Sequence, residues 1–108
     1  MPNITMFIAS EYMPADKTLR VLGAQSTQLC VQNLDAALEN VHIVYVPVLT
    51  AQGHPVFAEI HYRLEAPRTR AVMEDFMARL DDLIRSHTGL VARIRCFGHA
   101  SADLYARN

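Results

Sequence analysis

Proline follows the first methionine and opens directly into the apolar run Ile4-Thr5-Met6-Phe7-Ile8. Removal of Met1 would leave a secondary amine at the start of a strand, and an α-amine is the one group at a chain end able to act as a base near neutral pH. Such amines titrate at about 7.7–8.0. Apolar, arginine-bearing surroundings disfavour the protonated form and move the group toward the range where a base can also return its proton as an acid. With Met1 attached, the same nitrogen is an amide and has no basicity. Trimming therefore decides whether Pro2 is a candidate catalytic base or only the first residue of a strand.

Arginine is the second chemistry-bearing type. Arg93 and Arg95 stand two apart in Leu90-Val91-Ala92-Arg93-Ile94-Arg95-Cys96-Phe97, so on a strand both project from one face, and such a pair amid Val91, Ile94 and Phe97 is not core composition. Arg63 ends another strand-like run. A solvated sheet face, or ion pairs between subunits with Glu59 as one partner, explains these arginines equally well without any ligand. The five histidines, His42, His54, His61, His87 and His99, show no i, i+4 pair of the zinc-helix kind and no carboxylate-rich cluster, so no metal or other cofactor is expected. His42 and His61 fall on strands and could line a site. Cys30 and Cys96 sit inside core-like segments and read as buried thiols. Glycine-rich phosphate loops, a GxSxG elbow and a CxxC pair are absent.

The elements that position these groups follow from periodicity. Residues 3–8 alternate as a strand with Ile4, Met6 and Ile8 on one face and Asn3, Thr5 and Phe7 on the other. Pro14 and Asp16 start a helix over about 14–32, in which Gly23 and Ser26 permit close packing on a sheet. The β-branched and aromatic run 41–48 reads as a largely buried strand that Pro47 ends or bulges. Gln52-Gly53 marks a turn, Pro55 opens the strand Val56–Arg63, and Pro67 starts a second helix carrying Val72, Met73, Phe76, Met77, Leu80, Leu83 and Ile84. Arg68, Arg70, Glu74, Asp75, Arg79, Asp81, Asp82 and Arg85 alternate in sign as on a solvated helix face. Gly89 ends that helix and 90–97 forms a fourth strand. The order is βαβ twice, over about 2–49 and 55–98, which predicts one α+β domain spanning 1–108, with a four-stranded sheet and both helices on one face.

Composition bounds the partners. At 108 residues, 51% hydrophobic, 19% charged and a net charge of −1, the chain is of ordinary globular type without the basic excess of a nucleic-acid binder. It carries no secretory leader and no stretch of the roughly 20 apolar residues that span a membrane, so a cytoplasmic protein is expected.

Taken together, Met1-Pro2 leading into a strand, the repeated βαβ plan at this length, the segment Asn40-Val41-His42-Ile43-Val44 and the tail Ala102-Asp103-Leu104-Tyr105 resemble the tautomerase superfamily. That superfamily includes 4-oxalocrotonate tautomerase, 5-carboxymethyl-2-hydroxymuconate isomerase and macrophage migration inhibitory factor. The similarity in length suggests the last type or small bacterial members of like size. The resemblance implies a homotrimer with sites between subunits. It also implies Pro2 as a proton shuttle on a small keto or enol acid, and arginines that grip a carboxylate and stabilise an enolate oxygen. Arg93, Arg95 and Arg63 fall near such positions, with Phe97 and Tyr105 as apolar walls. In the dehalogenase branches a glutamate activates water, a role open to Glu59. The arginine that the 4-oxalocrotonate type carries soon after its first strand is replaced here by Glu11-Tyr12, which puts a dicarboxylate substrate in doubt. The alternative is a non-catalytic module that binds a small molecule or assembles, either tautomerase-like or ferredoxin-like; a signalling role finds no support beyond size.

Overall fold

The computed structural model describes all 108 residues. Four strands and two helices follow in the order β1 (Asn3–Ala9), α1 (Asp16–Asn33), β2 (His42–Val48), β3 (Val56–Arg63), α2 (Arg70–Thr88) and β4 (Ala92–His99), with single 3₁₀ turns at Ser10–Tyr12, Leu38–Asn40 and Ser101–Asp103. The sheet order is β2-β1-β3-β4. Each βαβ unit contributes one parallel pair, β1 with β2 and β3 with β4, and the units join through antiparallel β1 and β3.

Alternation decides which side of the sheet is buried. Ile4, Met6 and Ile8 of β1 and Val56, Ala58 and Ile60 of β3 lie under the helices at no more than 1% exposure, which leaves Asn3, Thr5, Phe7, Phe57, Glu59 and His61 on the opposite, helix-free face. Leu22 and Cys30 of α1 and Phe76, Leu80 and Ile84 of α2 close the core. Gly23 is where α1 meets the sheet: a Cβ there would stand 3.1 Å from the Tyr45 hydroxyl, which donates to Leu19 O at 2.7 Å. Burial pushes that phenol up to about 12.

Several boundaries differ from the sequence reading, each for a local reason. Pro47 neither ends nor bulges β2, which continues to Val48 in register with β1; β2 is an edge strand, where a missing N–H costs no ladder bond. For the same reason β2 is half-buried rather than largely buried. Helix α2 begins after Thr69, whose hydroxyl accepts the Val72 N–H at 3.2 Å, and not at Pro67. It ends as expected at Gly89, with φ 73° and its N–H bonded to Arg85 O. Strand β4 runs two residues further than its apolar pattern, because pairing with β3 continues to Arg63 and His99. Arg68 is not on a solvated face. It is buried in the turn before α2, donating from Nε to Leu34 O at 3.0 Å and from a terminal nitrogen to Arg63 O at 2.8 Å.

Core energetics give a direct check. Phe76 is fully buried between the layers, so Phe76→Ala is expected to cost about 3–5 kcal/mol in chemical denaturation. Ser26 is equally buried but its hydroxyl has no hydrogen-bond partner, so Ser26→Ala is expected to leave stability unchanged or raise it.

Candidate active site at the N-terminal end of the sheet

The start of β1 is fixed between two strands. Pro2 O accepts the His42 N–H at 3.1 Å, and Asn3 pairs with His61. The Pro2 ring shares the parity of Ile4 and is fully buried on the helix side. Met1, one residue earlier, opens onto the other side, where a cavity of about 520 Å³ is bounded by Met1, Asn3, His42, Arg63, Tyr105 and Arg107 among others. A smaller hollow beside it shares Met1, Arg63 and Arg107 and adds Glu65.

The electrostatics of this corner favour a neutral amine. The N-terminal ammonium of Met1 is drawn below the usual 8.0, first by desolvation, then by the charges of Arg63 and Arg68, with Glu65 opposing. Arg68 is well suited to this role because its guanidinium is held inside the fold by backbone carbonyls, where its field is little screened. Arg63 enters no ion pair, whereas Arg68 has Glu65 at 3.9 Å.

The residues singled out from sequence divide into two groups. Arg63 and Tyr105 share the cavity at the N-terminal end with Met1, while the adjoining Pro2 is buried on the helix side. Arg93, Arg95 and Phe97 lie on the helix-free face of β4, exposed. Arg93 stands opposite Phe57, six residues back along β3 from Arg63, a separation of about 20 Å within one chain. Its guanidinium carbon is 5.9 Å from the Phe57 ring centre, and Phe57 stacks on Phe7 at 6.0 Å. Together with His54 they bound a second cavity of about 410 Å³. Arg95 donates to Ile94 O at 2.8 Å. It does not pair with Glu59 opposite, which turns instead to His61 at 2.7 Å.

Two features escaped the sequence reading. One is Arg68, masked by the charge alternation around it. The other is a hydrogen-bonded row of Glu59, His61 and His99, with His61 Nδ1 2.7 Å from His99 Nε2. The i, i+2 spacing of Glu59 and His61 was a usable signal, but His99 joins them only through the β3/β4 register. The thiols are inert by comparison: burial pushes Cys30 up to about 12 and Cys96 to about 11.

No protein-family model and no curated protein matches the chain by sequence. Solved structures match it throughout. A fused 4-OT, described as a symmetric trimer, superposes with a TM-score of 0.78 at 16% identity, over 95% of this chain and 91% of that one. A macrophage migration inhibitory factor-like protein from Entamoeba histolytica gives 0.76 at 9%, over 98% and 95%. Pt0534, inactivated by 2-oxo-3-pentynoate, gives 0.76 at 16%, over 94% and 89%. The chain has the tautomerase fold. At these identities the likeness concerns the fold, and it sets the N-terminal corner of this chain in the same βαβ scaffold as those proteins.

The depressed amine has a measurable consequence. An unfolded chain, whose amine titrates at the usual 8.0, binds the proton more readily than the folded one, so stability is expected to rise with pH between the folded value and 8.0. Arg63→Ala should move the folded amine back toward 8.0, read from the pH dependence of N-terminal acylation by mass spectrometry. An unmoved profile would show that Arg63 does not act on the amine.

Proposed function

We propose that the chain, with Met1 removed, is a tautomerase or isomerase in which the Pro2 amine is general base and then general acid on a small unsaturated keto or enol acid. The observation that carries this reading is a chain start fixed in an inner strand, with Pro2 O bonded to the His42 N–H, beside a cavity bounded by Met1 and the unpaired Arg63 and with the buried Arg68 close by. In this reading the neutral secondary amine takes a proton from the carbon beside the carbonyl. Arg63 holds the substrate carboxylate and the oxygen on which negative charge develops. The prolinium then returns the proton to the far carbon of the conjugated system, so the substrate gains and loses one proton and no cofactor is consumed.

The helix-free face supports a homotrimer as the working form. Phe97 is 43% exposed there, and Phe7, Phe57, Arg93 and Arg95 share the face with no element of this chain laid over them. We assign Arg93 and Arg95 to a neighbouring subunit's site, because within one chain Arg93 is too far from Pro2 to share a small substrate, whereas Phe97 packs on His61 of its own chain. Tyr105 then walls its own subunit's cavity. The fused 4-OT relative is itself described as a trimer. The competing reading is a non-catalytic binding or assembly module; it is favoured by the full burial of the Pro2 ring on the helix side of the sheet.

The reagent 2-oxo-3-pentynoate, which inactivates the structural relative Pt0534, tests the assignment. Its alkyne is conjugated to a ketone, so a neutral amine adds to it, forming a carbon–nitrogen bond while a proton goes to the neighbouring carbon. One adduct is expected on Pro2 by peptide mapping, and phenylpyruvate ketonisation should fall by about 10²-fold or more in Pro2→Ala. Arg63→Ala is expected to lower kcat/KM by about ten- to a hundredfold. Light scattering should give three times the 12.1 kDa subunit mass. Full activity in Pro2→Ala would remove the mechanism and leave the binding module.

A further inference from the structure

The row of Glu59, His61 and His99 lies outside the hydrophobic core, and its three side chains are aligned to within hydrogen-bond distance over two strands. His61 Nε2 is 2.7 Å from Glu59 Oε1, and His61 Nδ1 is 2.7 Å from His99 Nε2. The two imidazole planes are 12° apart with centres 5.0 Å apart. With the nitrogens in contact at that separation the rings meet edge to edge, the geometry of a shared proton and not of a stacked pair. Phe97 lies 5.1 Å from His61 at 20°, covering the ring from one side.

Proton bookkeeping fixes the direction of the row. An ionised Glu59 only accepts, so His61 Nε2 carries a hydrogen. In the uncharged row His61 Nδ1 is therefore a lone pair, His99 Nε2 donates to it, and His99 Nδ1 is left as a free lone pair with no partner in the chain. A proton that arrives at His99 Nδ1 lets the Nε2 proton cross to His61 Nδ1. The positive charge then rests on His61, directly against the Glu59 carboxylate. The reverse sequence delivers a proton from His99 Nδ1. The row thus holds one transferable proton, with its open end at His99.

His61 and His99 do not themselves line the N-terminal cavity, but their cross-strand partners do. Arg63, which bounds the cavity, is the cross-strand partner of His99, and Asn3, which also bounds it, is the partner of His61; partners stand about one strand spacing, 4.8 Å, apart. The other ionisable groups facing the row are His42 at the far side of Asn3, Arg63 and Arg95, of which the arginines are cations that cannot compete for its proton.

We propose that His99 is a second acid–base group of the site, exchanging the proton of the carbonyl or enol oxygen while Pro2 serves the carbon, with Glu59 and His61 as the positioning residues that store the charge. This rests on the reading of Pro2 given above. In the ketonising direction the enol O–H proton passes to His99 Nδ1 as the carbonyl forms, and prolinium protonates the carbon. The row then releases its proton as Pro2 is reloaded, so protons balance over a turnover.

The test separates the two claims by measuring phenylpyruvate turnover and 2-oxo-3-pentynoate labelling of Pro2 in the same variants. His99→Gln keeps an amide donor for His61 but cannot pass a proton onward. Glu59→Gln keeps an acceptor but removes the charge. At least a tenfold fall in kcat for His99→Gln, a smaller fall for Glu59→Gln, Pro2 labelled at the native rate in both, and recovery of His99→Ala by added imidazole are expected. Unchanged turnover in His99→Gln with Pro2 labelled would overturn the relay and leave the proline base standing. No labelling and no turnover in the native protein would overturn the proline reading and the role of His99 with it. Independently of activity, nitrogen-15 spectra of the native protein should show both His61 and His99 as the Nε2–H tautomer; Nδ1–H on His61 in the uncharged row would overturn the arrangement.

Discussion

The pinning of the first residues of β1 is the constraint on which the rest of the molecule's chemistry depends. Chain termini ordinarily fray, yet this one begins an inner strand, with Pro2 O bonded to the His42 N–H on one side and Asn3 paired with His61 on the other. Proline suits the position because the N–H it lacks falls before the ladder begins. Its ring is buried with the core face of the strand, so the position of the Pro2 nitrogen is set by the packing and not by a flexible tail.

One-sided helix packing then separates the functions of the two sheet faces. Even-numbered residues of β1 and β3 supply the core, and the alternate residues are left to carry polar and aromatic groups without cost to stability. On that face the strands place Arg93 beside Phe57 and Phe7, and Glu59, His61 and His99 in one row. A buried cation in the turn before α2, Arg68, links the loop after α1 to the end of β3 through Leu34 O and Arg63 O, so the positive field near the amine is built into the connection between the two βαβ units.

Much of the fold was legible because it is written in local periodicity: the period-two alternation of residues 3–8 and 56–63, the helical spacing of Met73, Phe76 and Leu80, and Gly89 as a stop each have one physical reading. Less of the site was legible, because its groups come together through register. Nothing local says that Arg63 and Tyr105 meet at Met1, that Arg93 sits at the other end of the sheet, or that Glu59 prefers His61 to the neighbouring Arg95. Arg68 was misassigned for a related reason: its neighbours Arg70, Glu74 and Arg79 are solvated, and only the tertiary carbonyls that receive it distinguish it from them.

The central claim, that the N-terminal proline is a neutral base at working pH, is tested most directly by a nitrogen-15 titration of protein labelled at its five prolines, beside an unfolded peptide beginning at Pro2. The expected result is a single titrating proline nitrogen with a midpoint well below that of the peptide. A midpoint equal to or above the peptide's, or no titrating proline nitrogen because Met1 is retained, would contradict it.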